Sequence, residues 1–379
     1  MTYEVIVLGL GAMGSAAAMH LAARGPRVLG VDQFRPPHDR GSSHGGTRMI
    51  RQAYGEGAAY IPLVVRAYEL WEKLERDAHM QLLFVTGGLI LGSRNGQMVA
   101  RAAAAADAHG IAYEALTGRE VQARFPAVVP LPGEVALLES RAGYLLPEEC
   151  IRAQLRIAAA HGAELRFEEP VLSWTAEAGR VEVRTAHSSY TAERLVIAAG
   201  PWAHATLGSV VPLQVTRQVM AWIQPIGGID AFLPTRLPVF LSESDDGRPA
   251  YGFPAIDGPS GGVKAAVHGS ANVCTPETVD RSIRAEDRAE ILRKVSRRMP
   301  ALAGEIVKAQ TCLYTMTPDE HFVIGPHPEH PAVSIACGFS GHGFKFAPVV
   351  GEILAELAMH GTTSYPIAIF SPLRFANPA

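Results

Sequence analysis

The chain has 379 residues, 48% hydrophobic and 19% charged, which suits packed cores and is wrong for a disordered polymer. A formal net charge of -3 supplies no overall field for nucleic acid or an anionic membrane. Cys150, Cys274, Cys312 and Cys337 form no C-x-x-C pair, so neither a disulfide framework nor a metal site is expected. No apolar run reaches the roughly 18 residues of a bilayer span, and a soluble cytoplasmic protein is the expectation.

Residues 4–8 (Glu-Val-Ile-Val-Leu) form a short apolar run ending at Gly9, the pattern of a buried parallel strand. Residues 12–24 are alanine-rich and helical in character, and 27–31 read as a second strand. The stretch 33–57 is irregular, glycine-rich and long for a connection inside a domain, as functional loops often are. Helices are expected over 59–76, 95–109 and 147–161, and a buried strand over 193–197. From 211 to 270 strand-like segments alternate with Gly and Pro, and a helix is expected over 283–299. Strands at 321–324 and 333–337 lead to a glycine-punctuated turn and a last helix starting near 345. The first strand–helix–strand unit cannot close a sheet by itself. The expected class is therefore α/β (α+β), with a discontinuous Rossmann-type domain from 1–80, 145–210 and 310–379. A second, β-sheet-rich substrate domain would come from 81–144 and 211–309.

Gly9-Leu10-Gly11-Ala12-Met13-Gly14 is G-x-G-x-x-G between a strand and a helix. Gly9 suits the tight turn, Gly11 lets a pyrophosphate approach the backbone, and Gly14 allows close helix–strand packing. Asp32 ends the second strand, where a carboxylate accepts ribose hydroxyls. The motif identifies a dinucleotide without separating NAD from FAD. Arg48 and Arg51 share a face if residues 47–54 form a helical turn, and either a solvated basic face or a carboxylate site accounts for them. Lys264 and His268 share one face of an expected strand, with Val263, Ala265 and Val267 on the other. That face is either the wet side of a sheet or a pocket. Cys312 follows an expected helical segment, and a lone cysteine is commonly a small buried hydrophobe. Lys345, after Gly338, Gly341 and Gly343, falls at a helix N-terminus, where a cation is disfavoured unless an anion is near.

Taken together these segments resemble the monomeric sarcosine oxidase family, with N-methyltryptophan oxidase and pipecolate oxidase, in the D-amino-acid oxidase superfamily. The likeness runs nearly end to end. It is carried by Pro36-Pro37-His38, the run Gly41-Ser-Ser-His44-Gly-Gly-Thr-Arg48-Met-Ile-Arg51-Gln-Ala-Tyr-Gly-Glu-Gly57, Tyr251-Gly-Phe-Pro254, Cys312-Leu-Tyr314-Thr, Pro318-Asp-Glu-His-Phe322 and Gly338–Phe346. The resemblance makes the Rossmann-type domain an FAD-binding domain and implies FAD attached at its 8α-methyl carbon through a thioether to Cys312. It also implies cofactor contacts from Gly9, Gly11, Ala12, Met13, Gly14 and Asp32. Further contacts are implied from Ser42, His44, Thr47, Arg48, Val171, Gly200, Trp202, Gly341, Gly343, Phe344 and Lys345.

By the same resemblance Arg51 and Lys345 bind a substrate carboxylate, while Tyr251, His268 and Tyr314 line the substrate pocket. Lys264 and Arg48 fall near flavin N5, with Lys264 serving oxygen; no obligatory base is evident. The implied reaction oxidises the C–N bond of a secondary amino acid such as sarcosine with O2, giving imine or aldehyde, amine and hydrogen peroxide, in a monomer. Alternatives are N-methyltryptophan, a cyclic amino acid (pipecolate or proline), a D-amino-acid or glycine oxidase-like activity with noncovalent FAD, a dehydrogenase using another acceptor, or an inactive subunit. Ser43 and Gly46 stand where the family usually has His and Asp, Cys337 where it has a small residue, and the loop 255–263 is longer. Leu241 and that loop are expected to set substrate choice.

Overall fold

The computed structural model describes residues 2–177 and 179–375. The apolar run at the start becomes the strand Thr2–Leu8, paired in parallel with Val28–Val31 on one side and Ser189–Ile197 on the other. Glu164–Arg166 extends this parallel array beyond Val28–Val31, and Val333–Cys337 extends it beyond the C-terminal part of Ser189–Ile197. The first part of Ser189–Ile197 pairs instead with an antiparallel hairpin, Val171–Glu177 and Arg180–Thr185. Val323–Pro326 adds an antiparallel eighth strand against Val333–Cys337.

Parallel neighbours need crossovers, and helices supply them. Ala12–Ala22 packs between Pro147–Ala160 and Ala347–His360. Its alanines explain how: Ala16, Ala17 and Ala18 are fully buried, and small side chains let a neighbouring backbone approach. A Cβ added to Gly351 of the last helix would lie 2.5 Å from the Ala16 carbonyl carbon. A helix apolar on all sides is a buried helix, and this one is.

The second sheet has nine strands, mostly antiparallel, built on Gln214–Ile223. That strand pairs with Val263–Val267 and, along its whole length, with Ile306–Met316. A three-stranded sheet of Arg48–Ile50, Gly143–Leu145 and Leu83–Val85 lies separately.

The expected helices form as Ile61–Ala78, Gln97–Ala108, Pro147–Ala160, Ala285–Ser296 and Ala347–His360, each within a few residues of its expected span. Two local readings are corrected. Residues 48–50 are a strand, not part of a helical turn over 47–54, because Gly143–Leu145 offers ladder partners that a single turn would lack. Cys312 does not follow a helix; it lies in mid-strand opposite Gln218, in an eleven-residue strand of the second sheet. The hairpin at 171–185 has no counterpart among the expected elements: Arg180–Thr185 alternates exposed and buried residues, Val171–Glu177 buries none fully, and neither shows a continuous apolar run.

Candidate active site

The first turn of the Rossmann-type unit is built as its glycines require. Gly9 holds φ +86°, and a Cβ on Gly14 would sit 1.7 Å from the Gly9 carbonyl oxygen. A Cβ on Gly11, by contrast, would meet nothing within 4 Å, because Gly11 opens onto a cleft of about 820 Å³. Ala12, Met13 and Asp32 line the same cleft. Asp32 accepts the N–H of Leu10 at 2.7 Å and of Phe34 at 2.8 Å, and burial holds its pKa above the ordinary carboxylate value. Val171, Gly200 and Trp202 line the cleft farther along, and Ser42, Gly341, Gly343 and Phe344 line it toward its other end.

The loop between the cleft and the strand Arg48–Ile50 is pinned from two sides by carboxylates. Glu148 accepts the N–H of Gly45 at 2.6 Å and of Gly46 at 3.1 Å. Burial opposes ionisation of Glu148, but these N–H donors and the nearby Arg48 outweigh it and hold its pKa below the ordinary value. Glu139, almost fully buried, accepts the N–H of Gln52 and Ala53 at 2.9 Å each. Arg48 and Arg51 therefore project from a backbone anchored at both ends.

Their side chains do not share a face. Arg48 donates to Ser42 O and Thr47 O, both at 2.8 Å, and its Nη2 lies 3.7 Å from Cys312 Sγ. Arg51 donates to Ala53 O at 2.6 Å and to Glu56 at 2.5 Å. Cys312 is buried, with its sulfur also 3.8 Å from Ser42 O. Lys264 is buried with all three donors taken, by Gly45 O (2.7 Å), Thr47 O (2.8 Å) and Thr47 Oγ1 (3.2 Å). Burial, then the charge of Arg48, pull its pKa well below the usual ammonium value. The strand reading holds for this pair: Val263, Ala265 and Val267 pack into one core, while Lys264 and His268 lie on the other face.

A second cavity of about 660 Å³ is lined by Arg48, Arg51, Tyr251, His268, Cys312, Tyr314 and Lys345. Thr47, Glu56 and Leu241 also line it. Tyr314 OH and His268 Nδ1 are 3.3 Å apart, and burial lowers the His268 pKa. Lys345, one residue into the short turn that opens the last helix, donates to His342 O at 2.7 Å. Burial, with Arg51 adding to it, pulls its pKa down to about 7. The cleft and this cavity share Arg48, Tyr314, Gly341 and Phe344. At Gly341 a Cβ would lie 2.3 Å from the Tyr314 ring, so only glycine lets the two walls meet there. A ligand lying in the cleft thus has one end at the mouth of a cation-lined cavity.

The FAD dependent oxidoreductase family matches residues 4–357 of the chain. The chain belongs to that family. It is 48% identical to monomeric sarcosine oxidase from Streptomyces avermitilis over 99% of this chain and 98% of that protein. It is 34% identical to N-methyl-L-tryptophan oxidase from Salmonella arizonae, covering both chains completely. Among solved structures, L-proline dehydrogenase from P. horikoshii superposes with a TM-score of 0.86 at 26% identity, covering 99% of this chain and 98% of that one. FAD is accordingly the cofactor of this oxidoreductase, and the cleft fits it. The Gly9–Gly14 cradle leaves Gly11 open for a pyrophosphate at a helix N-terminus, Asp32 directly follows the second strand and lines the same cleft, and that lining includes Tyr314.

Not every residue named from the sequence meets at one place. His44 lies off the cleft, lining a third cavity of about 590 Å³ with Glu148 and Lys308. Lys264 lines none of the three cavities and is turned to the loop carbonyls. Asp257, Ser260 and Gly261 of the longer loop also line the third cavity, so that loop does not border the one that holds Arg51. Leu241 does. Sequence reasoning missed Glu56, Tyr54 and His342. The first two stand inside the quoted run after Arg51, and an acid set between Gly55 and Gly57 was the available signal for Glu56.

Proposed function

We propose that this enzyme oxidises the C–N bond of a secondary amino acid, sarcosine or a larger N-methyl amino acid, with O2 as acceptor. The observation that carries the reading is the junction itself: a dinucleotide cleft opens at Arg48 and Tyr314 into a cavity that presents Arg51 and Lys345 as cations. When bound, FAD would supply the hydride acceptor for the substrate and the centre that reacts with oxygen. Gly9, Gly11, Ala12, Met13 and Gly14 would hold the pyrophosphate, and Asp32 the ribose. Val171, Gly200 and Trp202 would hold the adenine side, and Ser42, Gly341, Gly343 and Phe344 the ring end.

Arg51 and Lys345 hold the substrate carboxylate, Arg51 as a planar fork and Lys345 as a compact ammonium. Tyr251, His268 and Tyr314 wall the cavity and keep water from the reacting carbon. Cys312 would carry the flavin as a thioether, with Arg48 Nη2 beside the sulfur at 3.7 Å. Lys264, through its fixed ammonium, favours negative charge developing on oxygen. Thr47, which lines the same cavity, would support the ring from the anchored loop, whereas His44, off the cleft, takes no part. The names of the two relatives support the substrate class, and a monomer is the assembly proposed.

A larger N-methyl amino acid would meet Leu241, Met98 and Arg101, which line the same cavity as Arg51 and Lys345. Oxygen uptake measured with sarcosine, N-methyl-tryptophan, proline, pipecolate and primary D-amino acids tests both readings. Turnover of N-methyl or cyclic amino acids supports the secondary-amine assignment; turnover of primary D-amino acids alone overturns it.

A further inference from the structure

The carboxylate reading leaves Tyr54 without a role, although both cations of that reading lie over its ring. Tyr54 is fully buried. The Arg51 guanidinium carbon lies 4.7 Å from its ring centroid, and Lys345 Nζ lies 4.9 Å from the same centroid. The ring is fixed at its far end, where the hydroxyl meets His342 Nδ1 at 2.5 Å. His342 also accepts Lys345 Nζ through its carbonyl oxygen, so one residue anchors both the ring and the ammonium. Phe346 stands edge-on to the ring at 5.3 Å and Tyr60 is tilted against it at 5.2 Å, which removes the remaining freedom.

Two buried cations that converge on one anion repel each other, a cost that Glu56, 2.5 Å from Arg51, offsets only in part at Lys345. An aromatic face attracts both through its quadrupole and, being rigid, keeps them at a set spacing. An aliphatic side chain of the same bulk fills the space without that attraction. We propose that Tyr54 is a positioning residue, its ring seating the Arg51 guanidinium and the Lys345 ammonium so that both converge on one substrate carboxylate. The inference rests on the reading of Arg51 and Lys345 as the carboxylate site.

Acetate titrated into the yellow holoenzyme, followed by flavin absorbance, reads that site directly. Tyr54→Leu weakens acetate binding by about tenfold and raises the substrate KM more than it lowers kcat. Tyr54→Phe, which keeps the ring, stays within about threefold of the parent. Pentafluorophenylalanine at position 54 keeps the ring's volume and reverses its attraction for cations, so acetate binds more weakly than in Tyr54→Phe; this comparison stands even if Tyr54→Leu does not fold. Acetate affinity unchanged in Tyr54→Leu, or equal in the phenylalanine and pentafluorophenylalanine proteins, overturns the proposal. A loss in Tyr54→Phe as large as in Tyr54→Leu overturns it too, by assigning the effect to the hydroxyl. Arg51→Met and Lys345→Met are measured alongside: if neither weakens acetate, the carboxylate reading fails and the role of Tyr54 fails with it. If both do while Tyr54→Leu does not, only the role of Tyr54 is lost.

Discussion

Arg51 Nη2 lies 2.5 Å from Glu56 Oε1, so the guanidinium assigned to a substrate carboxylate already holds a carboxylate of its own chain. Burial opposes the Glu56 charge, but Arg51, His342 and Lys345 together outweigh it and bring the Glu56 pKa down to about 2. The pair is therefore intact at any working pH and is lost only in strong acid. Glu56 is the more open partner, its side chain 35% exposed against 11% for Arg51, so it is the group that can leave.

The first prediction follows from that competition. Glu56→Gln removes the resident anion and leaves Arg51 available, so acetate binds more tightly. A partly exposed ion pair is worth about 1 kcal/mol or less, which corresponds to a gain of about threefold to fivefold. Absorbance titration of the holoenzyme measures it, and weaker acetate binding in Glu56→Gln would mean that Glu56 supports the site instead of occupying it.

Lys345 gives a pH dependence with a definite sign. Its pKa is lowered by burial, and secondarily by Arg51, to about 7. The protonated form binds a carboxylate, so acetate affinity is full below that pKa and falls as pH rises through it. A bound carboxylate favours the ammonium and moves the midpoint upward. The same titration from mildly acidic to mildly alkaline pH shows the fall, and Lys345→Met flattens it. A profile that keeps its fall in Lys345→Met places the titrating group elsewhere.

Cys312 is tested by colour. The protein is expected to retain its yellow in the pellet after acid precipitation, and Cys312→Ser to release FAD into the supernatant. Freely extractable flavin in the parent protein removes the thioether. The buried sulfur sits 3.7 Å from Arg48 Nη2, so Arg48→Met is expected to slow attachment even where FAD still binds.

Lys264 now carries two expectations. On the proposed role its charge favours oxygen reduction, so Lys264→Met is expected to slow flavin reoxidation by about 10²–10³-fold while anaerobic reduction slows much less. Its hydrogen bonds anchor Gly45 and Thr47, and leaving those acceptors unpaired costs roughly 1–3 kcal/mol each, so the variant also melts earlier. Stopped-flow of the two half-reactions separates the effects. Lower stability with reoxidation at the parent rate reduces Lys264 to a structural anchor.

What could be read in the sequence was whatever depends on neighbours along the chain. The strand–glycine–helix unit at 4–24, the helices at 59–76 and 147–161 and the strand at 333–337 rest on local periodicity and turn chemistry, and the structure holds them within a few residues. The alternation that puts Lys264 and His268 on one face is equally local. Tertiary structure decided the rest, because those choices were made by partners distant in sequence. Residues 48–50 extend because Gly143–Leu145 offers a ladder, and Cys312 is in a strand because Gln214–Ile223 runs beside it. The loop bearing Arg48 and Arg51 is held by Glu148 and Glu139, about 90–100 residues away, whose carboxylates replace hydrogen bonds that no neighbouring residue supplies. Spacing along the chain cannot show that Glu56 occupies Arg51, or that Tyr54 lies under both Arg51 and Lys345, since Lys345 arrives from the far end of the molecule.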